Sequence, residues 1–315
     1  MADVTVNEAA AFGPATSVSR AGGADFPERA RLKGLLRGLR PTLAMAPFCI
    51  YTFLGLGVPT IAVIDLAFRS NSNKLTFSNL HAITQGSFRT GFENSILLAA
   101  ITSFVPGILG LVLAYAIQTS QSSILRKLVA TASGVLANFG GINLTFMFIA
   151  TLGSTGALTV WLNAIGLNPW NHGFNLYSFL GCVIVYMYFQ IPLMVLVITP
   201  ALGGLRASWR EAAENLGASS LNYWRTVGIP VLLPSVLGAM LLLFGSGFAA
   251  YATADTLTAG TVTLVPIQIS SFLNGNVESG QEHVGYALGF GMLIVLSITM
   301  ILYGLVRKKA SRWLR

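Results

Sequence analysis

Tyr177-Ser-Phe-Leu-Gly-Cys-Val-Ile-Val-Tyr-Met-Tyr-Phe-Gln190-Ile-Pro-Leu-Met-Val-Leu-Val-Ile-Thr199 contains no charged side chain. A helix needs about 20 such residues to cross the hydrocarbon core of a bilayer, and this run exceeds that. Working outward, five more apolar runs of similar length lie at Leu43 to Phe68, Ser95 to Gln118, Val129 to Leu152, Val231 to Ala254 and Val284 to Val306. The whole chain is 54% hydrophobic and only 10% charged, against about 25% charged in an ordinary soluble domain, which excludes a water-borne fold. Backbone polar groups cannot be left unpaired in lipid, so a crossing segment is helical or belongs to a closed barrel. Barrel strands alternate apolar and polar residues, whereas these runs are continuous. The expected fold is an all-α membrane protein with six transmembrane helices.

Charge fixes the expected orientation. Of the 19 Lys and Arg, only Arg69, Lys74 and Arg89 fall in the first, third or fifth connection; the rest lie in the two tails and the second and fourth connections. Positively charged short loops stay on the cytoplasmic side, which places both termini in the cytoplasm. The net charge of +8 is thus read as membrane topology, with lipid as its partner and no nucleic acid. The expected organisation is a cytoplasmic tail at 1–41, a six-helix transmembrane domain at 42–306 and a basic cytoplasmic tail at 307–315. No apolar h-region precedes a cleavage site in the first 40 residues, so the first span is expected to act as its own insertion signal. Residues 28–40 carry Arg29, Arg31, Lys33, Arg37 and Arg40 and read as a juxtamembrane orientation signal. Cys49 and Cys182 fall within expected spans, as packing residues rather than a disulfide pair.

The connection between the fourth and fifth spans, residues 205–234, is long and mixes helix starts with helix stops. It reads Leu205-Arg-Ala-Ser-Trp-Arg-Glu-Ala-Ala-Glu-Asn-Leu-Gly217-Ala-Ser-Ser-Leu-Asn-Tyr-Trp-Arg-Thr-Val-Gly-Ile-Pro230-Val-Leu-Leu-Pro234. Ser208 and Glu211 have the spacing of a capping box that would open a helix at Trp209. Gly217 is a left-handed stop for that helix. Ser219 or Ser220 can cap a second short helix, expected to end near Ile229 because Pro230 follows. The outcome is a helical elbow presenting the small residues Ala212, Ala213 and Ala218.

Glu211-Ala212-Ala213, then Gly217, Val227 and Ile229-Pro230, resembles the EAA loop of the inner-membrane permeases of ABC importers. Val227 and Ile229 stand where the family pattern has Ile and Leu, and both keep apolar character. The resemblance implies a coupling helix that docks an ATP-hydrolysing subunit through Glu211, Ala212, Ala213, Gly217 and Ala218. It also implies two ATP-binding subunits, a second permease that is identical or homologous, and an extracytoplasmic binding protein. The stretch Phe248-Ala-Ala-Tyr-Ala-Thr-Ala-Asp-Thr-Leu-Thr-Ala-Gly260 with Leu264-Val-Pro-Ile-Gln268 is similar to the polyamine and phosphonate branch. Polyamine permeases commonly carry an acid near the start of that stretch, where this chain has Ala249 and Ala250. The implied cargo is a small polar or charged solute of polyamine or phosphonate type.

No catalytic, metal or cofactor site is expected in the chain. A phosphate-binding loop ends in Lys followed by Ser or Thr, but Lys33, Lys74, Lys127, Lys308 and Lys309 are followed by Gly, Leu, Leu, Lys and Ala. ATP hydrolysis would therefore sit on a separate subunit. An intramembrane protease could use Ser154 between Gly153 and Gly156, yet His81, His172 and His283 all lie in expected outer connections, leaving no base within reach. The remaining alternative is a secondary transporter or channel not coupled to ATP. Such carriers place acids at mid-membrane, while Asp65, Glu93 and Asp255 fall near span ends. The polar residues expected at membrane depth are neutral: Asn138, Asn143 and Thr145, Gln190, and Ser246, Tyr251 and Thr253. Candidates to line a path are Asn138, Asn143, Gln190, Ser246, Tyr251 and Asp255; the same groups could instead hydrogen-bond between helices. Gly285 and Gly289 have the spacing of close helix contact.

Overall fold

The computed structural model describes residues 45–70, 72–275 and 282–311, with side chains 282 and 309–311 excepted. The expected 1–41 tail and residues 28–40 lie outside these. Among the described residues the chain is helical, with no strand beyond an isolated bridge between Arg69 and Leu75. It divides at Pro59 into two units. The described part of the first is helical, with a π-turn at Phe53–Gly57.

Among the described residues, six helical stretches are long and apolar enough to cross a membrane: Met45–Ala67, Gly86–Thr119, Ile142–Ala164, Phe179–Gly203, Ser220–Ala249 and His283–Lys308. In chain order the elements are α1 (Met45–Ala67), α2 (Ser78–Ala82), α3 (Gly86–Thr119), α4 (Ser123–Asn138), α5 (Ile142–Leu152) and α6 (Ala157–Ala164). They continue with α7 (Phe179–Gly203), α8 (Ala207–Asn215), α9 (Ser220–Ala249), α10 (Ala252–Thr258), α11 (Val265–Leu273) and α12 (Glu282–Ser311). Serines open several of these helices, taking up N–H groups the first turn leaves free. Ser122 accepts from Leu125, Ser178 from Gly181 and Ser219 from Asn222.

The core of the second unit is a triangle of α3, α7 and α9, with α4 laid on α7 and α12 on α9. Helix α7 is its centre: 61% of its apolar window is buried, against 11% for α12. One end of the triangle is filled by Ala114, Met194, Ile198, Leu202, Leu232 and Leu243. The other holds Leu98, Leu144, Tyr186, Phe189, Leu257 and Ile267. Small residues allow close approach: a side chain at Gly285 would meet Phe272 at 2.8 Å and one at Gly289 would meet Val63 at 3.3 Å. That pair therefore serves contact, as its spacing predicts. Large apolar side chains such as Phe104, Val112 and Ile301 remain more than half exposed, which suits a surface solvated by lipid tails.

Three expectations need correction. The third span, Val129 to Leu152, is not one helix but is divided between α4 and α5 at Phe139–Gly141. Gly141 there has φ +75°, a left-handed conformation that glycine adopts without strain. The apolar stretch that qualifies by length is Ile142–Ala164, itself turned at Gly153–Gly156 between α5 and α6. Second, α3 begins at Gly86, well before Ser95, and its polar first turns carry an exposed Arg89–Glu93 ion pair of 2.7 Å one turn apart. Third, the second helix of the elbow does not stop before Pro230. It is the first part of α9 and passes through a π-turn at Trp224–Gly228, where the Ile229 N–H reaches back to the Trp224 carbonyl. Such a wide turn accommodates the proline, which has no N–H to donate.

Candidate functional site

The elbow between α7 and α9 starts two residues earlier than its sequence pattern suggests. Helix α8 has Arg206 at its N-cap with no side-chain cap bond, so the expected Ser208–Glu211 capping box does not form. Ser208 and Glu211 lie inside the helix instead, where Ser208 already has helical geometry and its hydroxyl cannot serve the first turn. Glu211 is exposed and has no hydrogen bond or ion pair among the described residues.

The other end of α8 matches its pattern. Gly217 has φ +77°; its N–H donates to the Glu214 carbonyl at 2.9 Å, and the Ala218 N–H donates to the Ala213 carbonyl at 2.9 Å. These two bonds make a Schellman closure, which satisfies carbonyls that a helix end otherwise leaves free. Ala213 and Ala218 meet at that closure, while Glu211, Ala212 and Gly217 are exposed. Leu216 at the tip is 88% exposed and Leu221 75%, two apolar side chains that the sequence pattern had not singled out. Arg210 Nε bonds Glu214 at 2.9 Å; that hydrogen bond and the carboxylate charge raise the guanidinium above its ordinary value.

Two aromatic residues anchor the elbow to the core. Tyr223 is buried, and Trp224 stands edge-on to Tyr115 of α3 with ring centres 5.2 Å apart. The elbow is therefore an exposed tip on a fixed base.

The second feature is a pair of facing helix breaks. The chain between α4 and α5 opens at Phe139–Gly141, and the chain between α9 and α10 opens at Ala250 and Tyr251. Backbone freed by a break within a membrane must find partners in neighbouring elements. Here the Gly141 N–H donates to Thr253 Oγ1 at 2.9 Å, and Thr145 Oγ1 donates to the Thr253 carbonyl at 3.2 Å. The Tyr186 hydroxyl of α7 donates to the Ala250 carbonyl at 2.6 Å. Each break is thus held open by named bonds.

The candidate path residues fall into separate surroundings. Asn138 and Asn143 flank the first break and are exposed, Asn138 donating to the Gly134 carbonyl at 2.9 Å. Tyr251 and Asp255 flank the second: the Tyr251 hydroxyl donates to Asp255 at 2.9 Å and lies 2.9 Å from the Ser270 hydroxyl, which also accepts from Asn274 at 3.1 Å. Ser246 is half-buried on α9. Gln190 stands apart, fully buried, its amide N donating to the Leu243 carbonyl at 3.0 Å while its Oε1 has no partner. Gln190 therefore makes an interhelical contact in this conformation. Sequence reasoning missed Tyr186 and Ser270, because each meets a residue distant along the chain, and with them Asn274, which bonds Ser270 four positions away. No cluster of His, Cys, Asp or Glu that could hold a metal occurs among the described residues.

Comparisons with known proteins agree with this architecture. The spermidine/putrescine transport system permease protein PotC homolog of Mycoplasma pneumoniae is 23% identical, over 81% of this chain and 87% of its own. The trehalose transport system permease protein SugB of Mycobacterium tuberculosis is 24% identical, over 74% of this chain and 77% of its own. A crystal structure of a bacterial ABC transporter involved in the import of alginate contains a chain with the same fold. Its TM-score is 0.67 at 17% identity, covering 90% of this chain and 99% of that one. Residues 108–312 match the family described as the binding-protein-dependent transport system inner membrane component. With its six membrane-length helices and that match over most of its length, the chain belongs to this family of multi-pass inner-membrane permeases, whose members are translocation subunits of ABC transporters.

Proposed function

We propose that this chain is the permease subunit of an ATP-driven importer, with both termini and the elbow on the cytoplasmic side. The observation that carries the reading is the elbow: a closed, exposed helical tip on a buried aromatic base, in a chain otherwise built for lipid. Glu211, Ala212, Ala213, Gly217 and Ala218 form the surface that docks a separate ATP-hydrolysing subunit, with Leu216 as its apolar point. ATP-driven closure of two such subunits would move the paired elbows as rigid bodies and reorganise the helices around the path. The partners are two ATP-binding subunits, a second permease chain and an extracytoplasmic binding protein.

The facing breaks are the proposed place where the path is lined. Discontinuous helices present backbone and side-chain polar groups at depth without exposing them to lipid. Asn138, Asn143, Ser246, Tyr251 and Asp255 contribute there, while Gln190 joins α7 to α9. The cargo is a small polar or charged solute, of polyamine or phosphonate type. The relatives' names span polyamines and sugars, so cargo is decided by assay.

Uptake of labelled putrescine and of a labelled alkylphosphonate, in cells with and without the gene, tests both levels. Deletion should abolish one of the two, and that uptake should fail on ATP depletion while surviving a protonophore. Normal uptake of both solutes would reject the cargo class. Uptake lost to the protonophore and insensitive to ATP depletion would instead identify a secondary transporter.

A further inference from the structure

Behind the elbow lie two cavities that share a wall. The first, about 450 Å³, runs between α3, α7 and α9 and is lined only by apolar and aromatic residues, among them Leu111, Val112, Tyr115, Trp224, Leu232 and Val236. The second, about 320 Å³, opens at the base of the elbow and adds Gln118, Arg206 and Arg210. Tyr115, Leu202 and Trp224 line both, so the two adjoin at those side chains, an apolar body beside a cationic mouth. The side chains of Arg206 and Gln118 have no hydrogen bond or ion pair among the described residues, and that of Arg210 has only Glu214.

The shape and charge select the occupant. A polar cargo would gain nothing from a body with no polar lining. A water-soluble partner docking on the elbow could meet the mouth, but the body reaches along α3 and α9 to Val112 and Val236, within membrane-length helices. A segment of the basic stretch at residues 28–40, of this chain or of a second copy, is disfavoured by charge, because the mouth is basic too. What fits is a molecule with an anionic head and a hydrocarbon tail. Basic pockets between helices at a membrane face bind such headgroups, and each Lys or Arg near the surface strengthens that attraction.

We propose that an anionic glycerophospholipid occupies this space, its phosphate at Arg206, Arg210 and Gln118 and one acyl chain between Val112, Trp224 and Leu232. The lipid would then brace Trp224, the residue that fixes the elbow to α3, so that membrane composition bears on elbow position. The assignment needs only that the helices span the membrane; it holds whichever leaflet the elbow faces and whatever the cargo.

Native mass spectrometry of the full-length permease in mild detergent, offered equal phosphatidylglycerol and phosphatidylcholine, tests it. The wild-type chain should retain phosphatidylglycerol about tenfold over phosphatidylcholine, from two arginines at the mouth. The pair Arg206→Gln and Arg210→Gln should lose that preference, and the pair Arg206→Lys and Arg210→Lys should keep most of it. Val112→Trp, which fills the body, should lower retention of both lipids. Equal retention of the two lipids by the wild-type chain would overturn the proposal, as would a preference untouched by the glutamine pair. Glycerol phosphate binding as tightly as the lipid, unaffected by Val112→Trp, would show a soluble-anion site instead. In the assembled transporter, a variant whose only tryptophan is Trp224 should be quenched by brominated phosphatidylglycerol; no quenching would show that protein covers the groove.

Discussion

Glycine at three positions illustrates three physical roles, and only one of them was legible in the sequence. Gly217 was readable, because a helix stop before a serine cap is a local pattern, and its φ of +77° agrees. A side chain placed there meets nothing within 4 Å, so a substitution acts through backbone strain of about 1–2 kcal/mol rather than through a clash. Gly247 is the reverse. Its backbone is ordinary helix, but a side chain would come within 2.9 Å of Gln190 Nε2 and 3.0 Å of Thr102 Oγ1. Gly247→Val should therefore cost about 1–3 kcal/mol by overpacking, read as a lower melting temperature of the detergent-solubilised chain; an unchanged value would mean that α9 can move away from α7 at no cost. Gly141 lies where a continuous span was expected, and its positive φ could not be foreseen from an apolar run. Glu211 carries the opposite lesson. Its spacing from Ser208 suggested a cap, yet its side chain is exposed and unbonded, so Glu211→Ala should change stability by no more than about 0.5 kcal/mol. Weakened binding of the ATPase subunit with unchanged melting would assign Glu211 to docking; a lower melting temperature would return it to a structural role.

Among the elements, apolar length was legible and continuity was not. Five of the six expected runs fall largely within helices of membrane length, since about 20 apolar residues admit few other solutions. The breaks depend on partners distant along the chain. Thr253 receives the Gly141 N–H across 112 positions, and Tyr186 supplies the Ala250 carbonyl across 64. No window of sequence contains both halves of either bond. Nor was the passage of α9 through Pro230 visible locally, because the π-turn that permits it looks in sequence like any other helical stretch. Thr253→Val keeps the shape at that site but deprives the half-buried Gly141 N–H of its acceptor, at a cost of about 1 kcal/mol. Hydrogen exchange around Gly141 should accelerate in that variant while exchange in α7 is unchanged. Equal protection in both proteins would show that the two breaks are not held by this bond.

At the scale of the whole molecule, the family and its membrane character follow from composition, helix length and the match over residues 108–312, whereas orientation rests on charge. Single cysteines placed at positions 74 and 172 should react with an impermeant reagent added outside intact cells, and cysteines at 127 and 210 should not; labelling at 210 would put the elbow on the wrong side for a cytoplasmic partner. The central claim is that the elbow, and no other surface, delivers the work of a separate ATPase to these helices. Its most direct test is purification of the tagged full-length chain from native membranes in mild detergent, comparing wild type with Gly217→Val. An ATP-hydrolysing polypeptide should accompany the wild-type chain, and Gly217→Val should reach the membrane in equal amount but lose that companion or its coupled uptake. Equal ATPase recovery and full uptake in Gly217→Val would contradict the account and leave the elbow a simple connector.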